Sequence, residues 1–152
     1  KTATSVKCLS RAAAITGRQD FANRAGEQMA TWFLDDSTKM IPHLRYAQFV
    51  PGKFTGRSFG IIEWSCIFPR MLDEWSLISE RAFSADQTVA FNKWCSDLLD
   101  WLIESEFGQE ESRVMNNHAV YYDVLAVYLC LWLGRRDEAH TILKQVPEQR
   151  ID

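Results

Sequence analysis

The sequence lacks the cysteine and histidine patterns of several protein classes. Its four cysteines lie far apart with no C-x-x-C pair, so a zinc ribbon and thiol redox chemistry find little support, and the sequence does not choose among the three possible cysteine pairings. The overall composition, that of a packed globular protein, excludes a disulfide scaffold. Each cysteine lies in an apolar helical context, which favours a free, buried thiol. The three histidines form no i, i+4 pair, so no metal site is predicted. These residues are Cys8, Cys66, Cys95, Cys130, His43, His118 and His140.

A basic excess and an apolar run of membrane length are also missing. Lys and Arg number 17 and Asp and Glu number 20. Nucleic-acid-binding domains usually carry a positive excess, so no nucleic acid partner is expected. The longest apolar stretch, residues 119–133, contains Asp123 and falls short of the roughly 20 residues of a membrane helix, so no membrane partner is expected. No signal or transit segment is recognisable at Lys1, and because the chain begins without Met we expect a cut product.

Apolar residues recur at helical spacing along most of the 152 residues, and no segment alternates as a strand would. The pattern predicts an all-α fold of about six helices that pair as antiparallel hairpins and stack within a single region, residues 1–152. Pro69 is expected near the first turn of the third helix or at a kink in it. The helices are predicted at 5–16 (closed by Gly17), at 20–34, within 61–80, after the S-A-D-Q capping box at 84–87, at 117–133 (ended by Gly134), and at 138–146 (stopped by Pro147).

Residues 35–60 interrupt the helical pattern with several prolines and glycines. A loop of this length in a compact domain is usually functional or disordered, and its apolar residues favour the functional interpretation. Residues 37–62 carry Lys39, Arg45, Lys53 and Arg57 and no acidic residue. A positive segment on an acidic chain indicates an anionic ligand. A solvated loop that is basic by chance is the alternative.

Polar side chains open the most apolar predicted helix. The N-N-H stretch at 116–118 is followed by Tyr121 and Tyr122. Helical neighbours lie three and four residues apart, so Asn117 shares a face with Tyr121, and His118 shares one with both tyrosines. An amide, an imidazole and phenols would converge there, and burying them is costly unless they find partners. The alternative is that Asn117 caps the helix and the rings simply pack.

In these motifs the sequence resembles the alginate lyase-type polysaccharide lyases, a helical-toroid family that degrades polyuronates. The order and spacing of three stretches carry the resemblance over nearly the whole chain. They are Y-A-Q-F-V-P-G at 46–52 with T-G-R at 55–57 and G-I-I at 60–62, W-C-S-D-L-L-D-W-L-I at 94–103, and N-N-H through Y-Y-D to L-G-R over 116–135.

The resemblance implies β-elimination on uronic-acid polymers of the alginate or glucuronan type. By position, Asn117 would neutralise the substrate carboxylate, and His118 would act as the base or its partner. The family's catalytic tyrosine lies on a later helix that has no counterpart here, so Tyr122, or Tyr121, would substitute for it. No metal or organic cofactor is required. The implied enzyme is secreted or periplasmic.

The long loop would bind the substrate, an anionic polysaccharide. The resemblance implies that Tyr46, Gln48 and Arg57 contact sugar and carboxylate. His43 and Arg45 stand where the family tends to have asparagines and are further candidates. Family members are considerably longer, so the chain is expected to be the middle of an (α/α) toroid. Activity is then expected of the full-length lyase rather than of this region alone, and the expected partner is the rest of the polypeptide or a second copy.

Two alternatives stay open at this point. Ala119 stands where the family has Gly, and Leu125 stands where it commonly has Gln. These departures, with the missing tyrosine, favour a non-catalytic carbohydrate-binding relic. The third interpretation is a helical-repeat interaction module, but such a scaffold has no need for Asn117, His118 and Gln48 together.

Overall fold

The structure is a computed structural model that describes residues 1–50, 52, 54–57 and 60–151; for residues 48–50 and 54–57 it describes the backbone alone. Eight helices and two short strands lie within these residues, so the predicted all-α class is confirmed, with one small β-hairpin added. The helices are α1 (Thr2–Thr16), α2 (Gln19–Phe33), α3 (Ile61–Ser76), α4 (Ser79–Ala82), α5 (Ala85–Glu104), α6 (Glu106–Arg113), α7 (Asn117–Trp132) and α8 (Arg136–Arg150). The strands are β1 (Gln48–Val50) and β2 (Phe54–Arg57).

Local signals set two of these helix ends as predicted. Gly17 ends α1 with a φ of 71°, and its N–H donates to the carbonyl of Ala13 at 3.0 Å. Before α5, the Ser84 N–H donates to Gln87 Oε1 at 3.0 Å, and the Gln87 N–H donates to Ser84 Oγ at 3.2 Å. The predicted capping box is therefore confirmed.

Two prolines lie inside helices rather than at their ends. Pro147 lies within α8, so the predicted stop at this residue is wrong. Arg150 holds the last turn instead, because its guanidinium donates to Asp123 at 2.8 Å and to the Ser112 carbonyl at 2.9 Å. These bonds stabilise a turn in which proline supplies no backbone N–H. Pro69 lies within α3, well past its first turn.

The predicted long loop contains the β-hairpin. Strands β1 and β2 pair antiparallel, with an irregularity in the register. Gly52, between them, has a φ of 75°, a conformation that glycine adopts without strain. A Cβ on Gly60 would collide with the side chain of Ala47, so the two ends of the hairpin segment approach each other closely. The paired residues are Gln48 with Arg57 and Val50 with Phe54.

The described residues divide into two compact units, and the first comprises Lys1–Ile41 and Ile67–Trp94. Within it α2 packs against α1 and α4. Its core is aromatic, since the Phe33 ring meets those of Phe91 and Trp94 edge-on, with centroids 5.3 and 4.6 Å apart. The Trp94 indole N–H donates to the carbonyl of Met40 at 2.7 Å, so this buried ring also has its polar atom satisfied.

The second unit comprises Pro42–Cys66 and the described residues from Cys95 onward. Helix α7 contacts both α6 and α8. The Ser65 hydroxyl on α3 donates to the carbonyl of Tyr121 at 2.6 Å and ties α3 to α7. The core of this unit is made of buried leucines, among them Leu98, Leu102, Leu125 and Leu129.

The cysteines only partly follow the sequence prediction. All four are free. Cys95 and Cys130 are buried as predicted, and burial raises the pKa of both thiols. Cys8 is exposed and Cys66 is half-buried, so the prediction of a buried thiol is wrong for Cys8. Over the described residues, none of the helices combines the length and the apolar character that crossing a membrane requires.

Candidate active site

The junction between α6 and α7 presents the predicted catalytic residues. Ser105 begins α6, and its hydroxyl accepts a hydrogen bond from the Gly108 N–H at 3.1 Å. Asn116 begins α7, and its Oδ1 accepts from the His118 N–H at 2.8 Å. The helix is therefore capped by Asn116, and the alternative in which Asn117 is the cap is wrong. Asn117 lies in the first turn of α7 and is exposed.

His118 is paired with a buried carboxylate that the sequence analysis did not identify. His118 Nδ1 lies 2.9 Å from Oε2 of Glu111, near the end of α6. The Glu111 side chain is 7% exposed and that of His118 is 23% exposed. An ionised carboxylate accepts hydrogen bonds but does not donate them, so it pairs with an imidazole whose Nδ1 carries the hydrogen. In that tautomer the lone pair lies on Nε2, which is the arrangement of a general base.

Tyr122, the third predicted catalytic residue, has the contacts of a packing residue. It is buried, and its hydroxyl donates to the carbonyl of Leu102 at 3.1 Å. Burial, with a smaller contribution from the neighbouring Asp123 charge, raises its pKa to about 12, so the phenol stays protonated. Tyr121 is half-buried.

Two of the predicted substrate-binding residues, His43 and Arg45, contact α5 and α6, and a third, Tyr46, contacts His43. The ring of His43 meets those of Tyr46 and Trp101, with centroids 5.8 and 6.0 Å apart. The Arg45 guanidinium lies over the Phe107 ring, 5.4 Å from its centroid. Tyr46 is 64% exposed, so this cluster of aromatic rings offers an open face to solvent.

One face of α6 connects this aromatic cluster to the histidine. Phe107, which contacts Arg45, and Glu111, which contacts His118, are four residues apart on α6. Residues four apart lie on the same face of a helix. Arg45 and His118 therefore both contact one face of a single short helix.

A family model and a solved structure point to the same family. The family model described as alginate lyase matches residues 1–152. The chain belongs to the alginate lyase family. The crystal structure of an alginate lyase from Bacteroides ovatus is similar to it, with a TM-score of 0.92 and 33% sequence identity. The match covers 99% of the present chain and 40% of that chain, so the protein spans well under half of that alginate lyase. The comparison with curated proteins gave no significant match.

The two residues that the sequence analysis expected to depart from the alginate lyase pattern are part of the core. Ala119 and Leu125 are both fully buried in α7. Their side chains therefore act as packing residues. Both lie on the covered side of the helix, whereas Asn117 is exposed.

Two predicted binding residues of this alginate lyase family member lie in the hairpin. Gln48 and Arg57 are backbone partners across β1 and β2, so the structure brings them together at the level of the main chain. Their side chains, and that of Lys53, lie outside the described residues. Lys39 forms an ion pair with Asp36, which offsets part of the positive charge predicted for the segment.

A cavity of the second unit lies apart from Asn117 and His118. It has a volume of about 750 Å³ and adjoins Tyr122, Asp123 and Arg150, and neither Asn117 nor His118 is among its lining residues. Within the described part of the chain, no three His, Cys, Asp or Glu side chains are grouped as metal ligands would be.

Glu111, Phe107 and Trp101 are the site residues that sequence reasoning missed. Helix α6 has only eight residues and mostly charged side chains, so it shows no apolar periodicity. Ser105, a favoured N-cap residue, was the available signal for its start. The seven-residue separation of Glu111 from His118 fits no motif, because the pair forms only when the chain turns between two helices.

Proposed function

We propose that this chain carries part of the active site of a polysaccharide lyase that cleaves uronic-acid-containing polysaccharide, of the alginate or glucuronan type, by β-elimination. The observation that carries the proposal is the hydrogen bond from His118 to the buried Glu111, beside the exposed Asn117, in a member of the alginate lyase family. The Bacteroides ovatus protein, which is similar over 99% of this chain, supports the same assignment.

The reaction removes the proton on C5 of a uronate and expels the glycosidic oxygen on C4. That proton is only weakly acidic until the charge of the adjacent carboxylate is neutralised. The Asn117 amide donates to the carboxylate and stabilises the enolate-like charge that develops in the transition state. His118 Nε2 takes the proton, the C5–H electron pair forms the C4–C5 double bond, and the C4–O pair leaves with the oxygen.

The leaving oxygen then needs a proton. In our proposal the imidazolium formed at His118 supplies it when the uronate is mannuronate or glucuronate, because in these sugars the C5 proton and the C4 oxygen lie on the same face of the ring. Tyr122 is the other candidate for this role. Its hydroxyl is already bonded to Leu102 and is buried, which favours His118. The catalytic role of Tyr122 stays a prediction, and the Tyr122→Phe variant tests it.

The aromatic cluster and Arg45 would bind the polymer. Apolar faces of sugar rings pack on aromatic side chains, and the open face of Tyr46 beside His43 and Trp101 suits that contact. Arg45 lies over Phe107 and carries the charge that a uronate carboxylate pairs with. We propose that Gln48 and Arg57 continue this surface on the hairpin, and that the enzyme works in a secreted or periplasmic location.

The test incubates the full-length protein that the gene encodes with alginate or with glucuronan. The measured quantity is the ultraviolet absorbance of the C4–C5 double bond in the product. Wild-type protein is expected to release absorbing product. Loss of one transition-state donor costs about 10²–10³-fold in turnover, so Asn117→Ala should fall within that range. His118→Ala should fall at least as far, and Asn92→Ala, an exposed residue of α5, serves as the matched control.

A second candidate is a carbohydrate-binding protein that has lost the chemistry. The observation that favours it is the buried Tyr122 hydroxyl, which removes one source of the proton for the leaving oxygen. This candidate predicts binding of polyuronate with no unsaturated product from any variant or from the wild type. That result in the full-length protein would reject the lyase proposal.

A further inference from the structure

We propose that Glu111 is a positioning residue that fixes the tautomer and orientation of His118, so that Nε2 faces the substrate. The catalytic consequence rests on the proposed lyase function, but the tautomer itself does not. The geometry that carries the inference is the 2.9 Å contact between His118 Nδ1 and Glu111 Oε2.

The two paired side chains differ in burial, and this difference shows which side of the pair is nearer to solvent. Glu111 lies on the protein side with 7% of its side chain exposed, and His118 lies on the outer side with 23% exposed. Because Nδ1 is held by the inner partner, the opposite edge of the ring, with Nε2, is the edge directed away from Glu111. A carboxylate in this position also stabilises the imidazolium that forms when Nε2 takes a proton.

Glu111 is itself held in place by the helix that carries it. The Ser105 hydroxyl caps the start of α6. Gly108 lies so close to the Leu102 carbonyl that a Cβ would collide with it, which fixes α6 against the end of α5. At the other end, Arg150 donates both to the Ser112 carbonyl of α6 and to Asp123 of α7. The helix bearing the carboxylate and the helix bearing the histidine are therefore joined through one arginine.

The experiment replaces Glu111 with methionine, which is similar in length and forms helices well but offers no acceptor for Nδ1–H. Glu106→Met, an exposed position in the first turn of the same helix, is the matched control. The readout is the ¹⁵N chemical shifts of the His118 ring in labelled protein at a pH where the imidazole is neutral. His43 and His140 are internal references, and the His118→Ala spectrum assigns the signals.

In wild type and Glu106→Met we expect hydrogen on Nδ1 of His118. In Glu111→Met we expect the hydrogen to move to Nε2, because Nδ1–H has lost its carboxylate acceptor. An unchanged His118 tautomer in a folded Glu111→Met protein would overturn the inference. Far-ultraviolet circular dichroism and urea unfolding establish that each compared variant is folded.

Activity then separates this inference from the proposed function. We expect Glu111→Met to lower kcat about ten- to hundredfold and to leave KM little changed. This loss is part of the roughly 10²–10⁴-fold rate enhancement that a positioned general base contributes. A changed tautomer with unchanged kcat would overturn the catalytic consequence. A changed tautomer in a protein whose wild type makes no unsaturated product would reject the lyase function and leave the positioning role standing.

Discussion

The environment of Tyr122 shows how burial assigns roles among neighbouring polar residues. Tyr122 and Asn117 both belong to α7, yet one is buried with its hydroxyl bonded to Leu102 and the other is exposed. A phenol with its pKa raised to about 12 by burial stays protonated at neutral pH. Its hydroxyl already donates to the main chain, so we expect Tyr122 to be a packing residue.

We expect Tyr122→Phe to lower the free energy of unfolding by about 1 kcal/mol, because it removes one buried hydrogen bond and leaves the Leu102 carbonyl without that donor. Lyase activity of the folded variant should stay near normal. Urea unfolding measures the first quantity and ultraviolet absorbance the second. Tyr46→Phe, at an exposed hydroxyl, is the control for stability. A loss of turnover of a hundredfold or more in folded Tyr122→Phe would assign the phenol to the chemistry.

At the scale of elements, the sequence predicted helices that carry their own signals and missed those that depend on the rest of the chain. The S-A-D-Q capping box and Gly17 set their helix ends by local hydrogen bonds, and both predictions are confirmed. Helix α6 is short and charged and is held by contacts with α5 and α7. The β-hairpin lies among prolines and glycines, which conceal a short strand pattern.

Helix α8 is the case in which a distant contact overrides a local rule. Pro147 predicted the end of the helix, but the last turn continues to Arg150, which pairs with Asp123. The side chains of Arg150 and Asp123 are 7% and 12% exposed, so the charges are largely buried. An interaction between residues 27 positions apart is not visible in a local sequence window.

We expect Asp123→Asn to lower the free energy of unfolding by about 3 kcal/mol, because it leaves the buried Arg150 charge without its partner. The last turn of α8 should lose protection first, so hydrogen exchange at the amides after Pro147 should quicken more than exchange within α7. Asp137→Asn, at an exposed position of α8, is the control. Equal destabilisation by the two variants would mean that the pair does not hold the helix end.

At the scale of the whole molecule, charge is unevenly distributed. The chain has a net charge of −3, while residues 37–62 contain four basic and no acidic residues. Within this segment, Lys39 forms an ion pair with Asp36. Arg45 is therefore the described cation of the segment that is best placed to bind an anionic ligand.

The family resemblance, which rests on the order and spacing of the motifs, is confirmed over the full 152 residues. The site could be predicted only in part, because its buried carboxylate depends on tertiary structure.

We expect the affinity for polyuronate to fall as salt rises, because exposed charge pairs are screened over about 10 Å at 0.1 M ionic strength. Arg45→Gln should weaken binding at low salt and flatten the salt dependence. Titration calorimetry with an oligouronate measures both effects, and a neutral glucan is the control ligand. Salt-independent binding, or equal affinity for the neutral glucan, would remove the electrostatic argument.

The most direct test of the central claim is the mass of the oligosaccharides that the full-length protein releases from polyuronate. Elimination leaves one product lighter by a water at its non-reducing end, because no water enters the broken bond. We expect that product from the wild type, and its loss or strong reduction with His118→Ala and Asn117→Ala. Hydrolysed products that carry the added water, or an unsaturated product at undiminished rate from His118→Ala, would contradict the account.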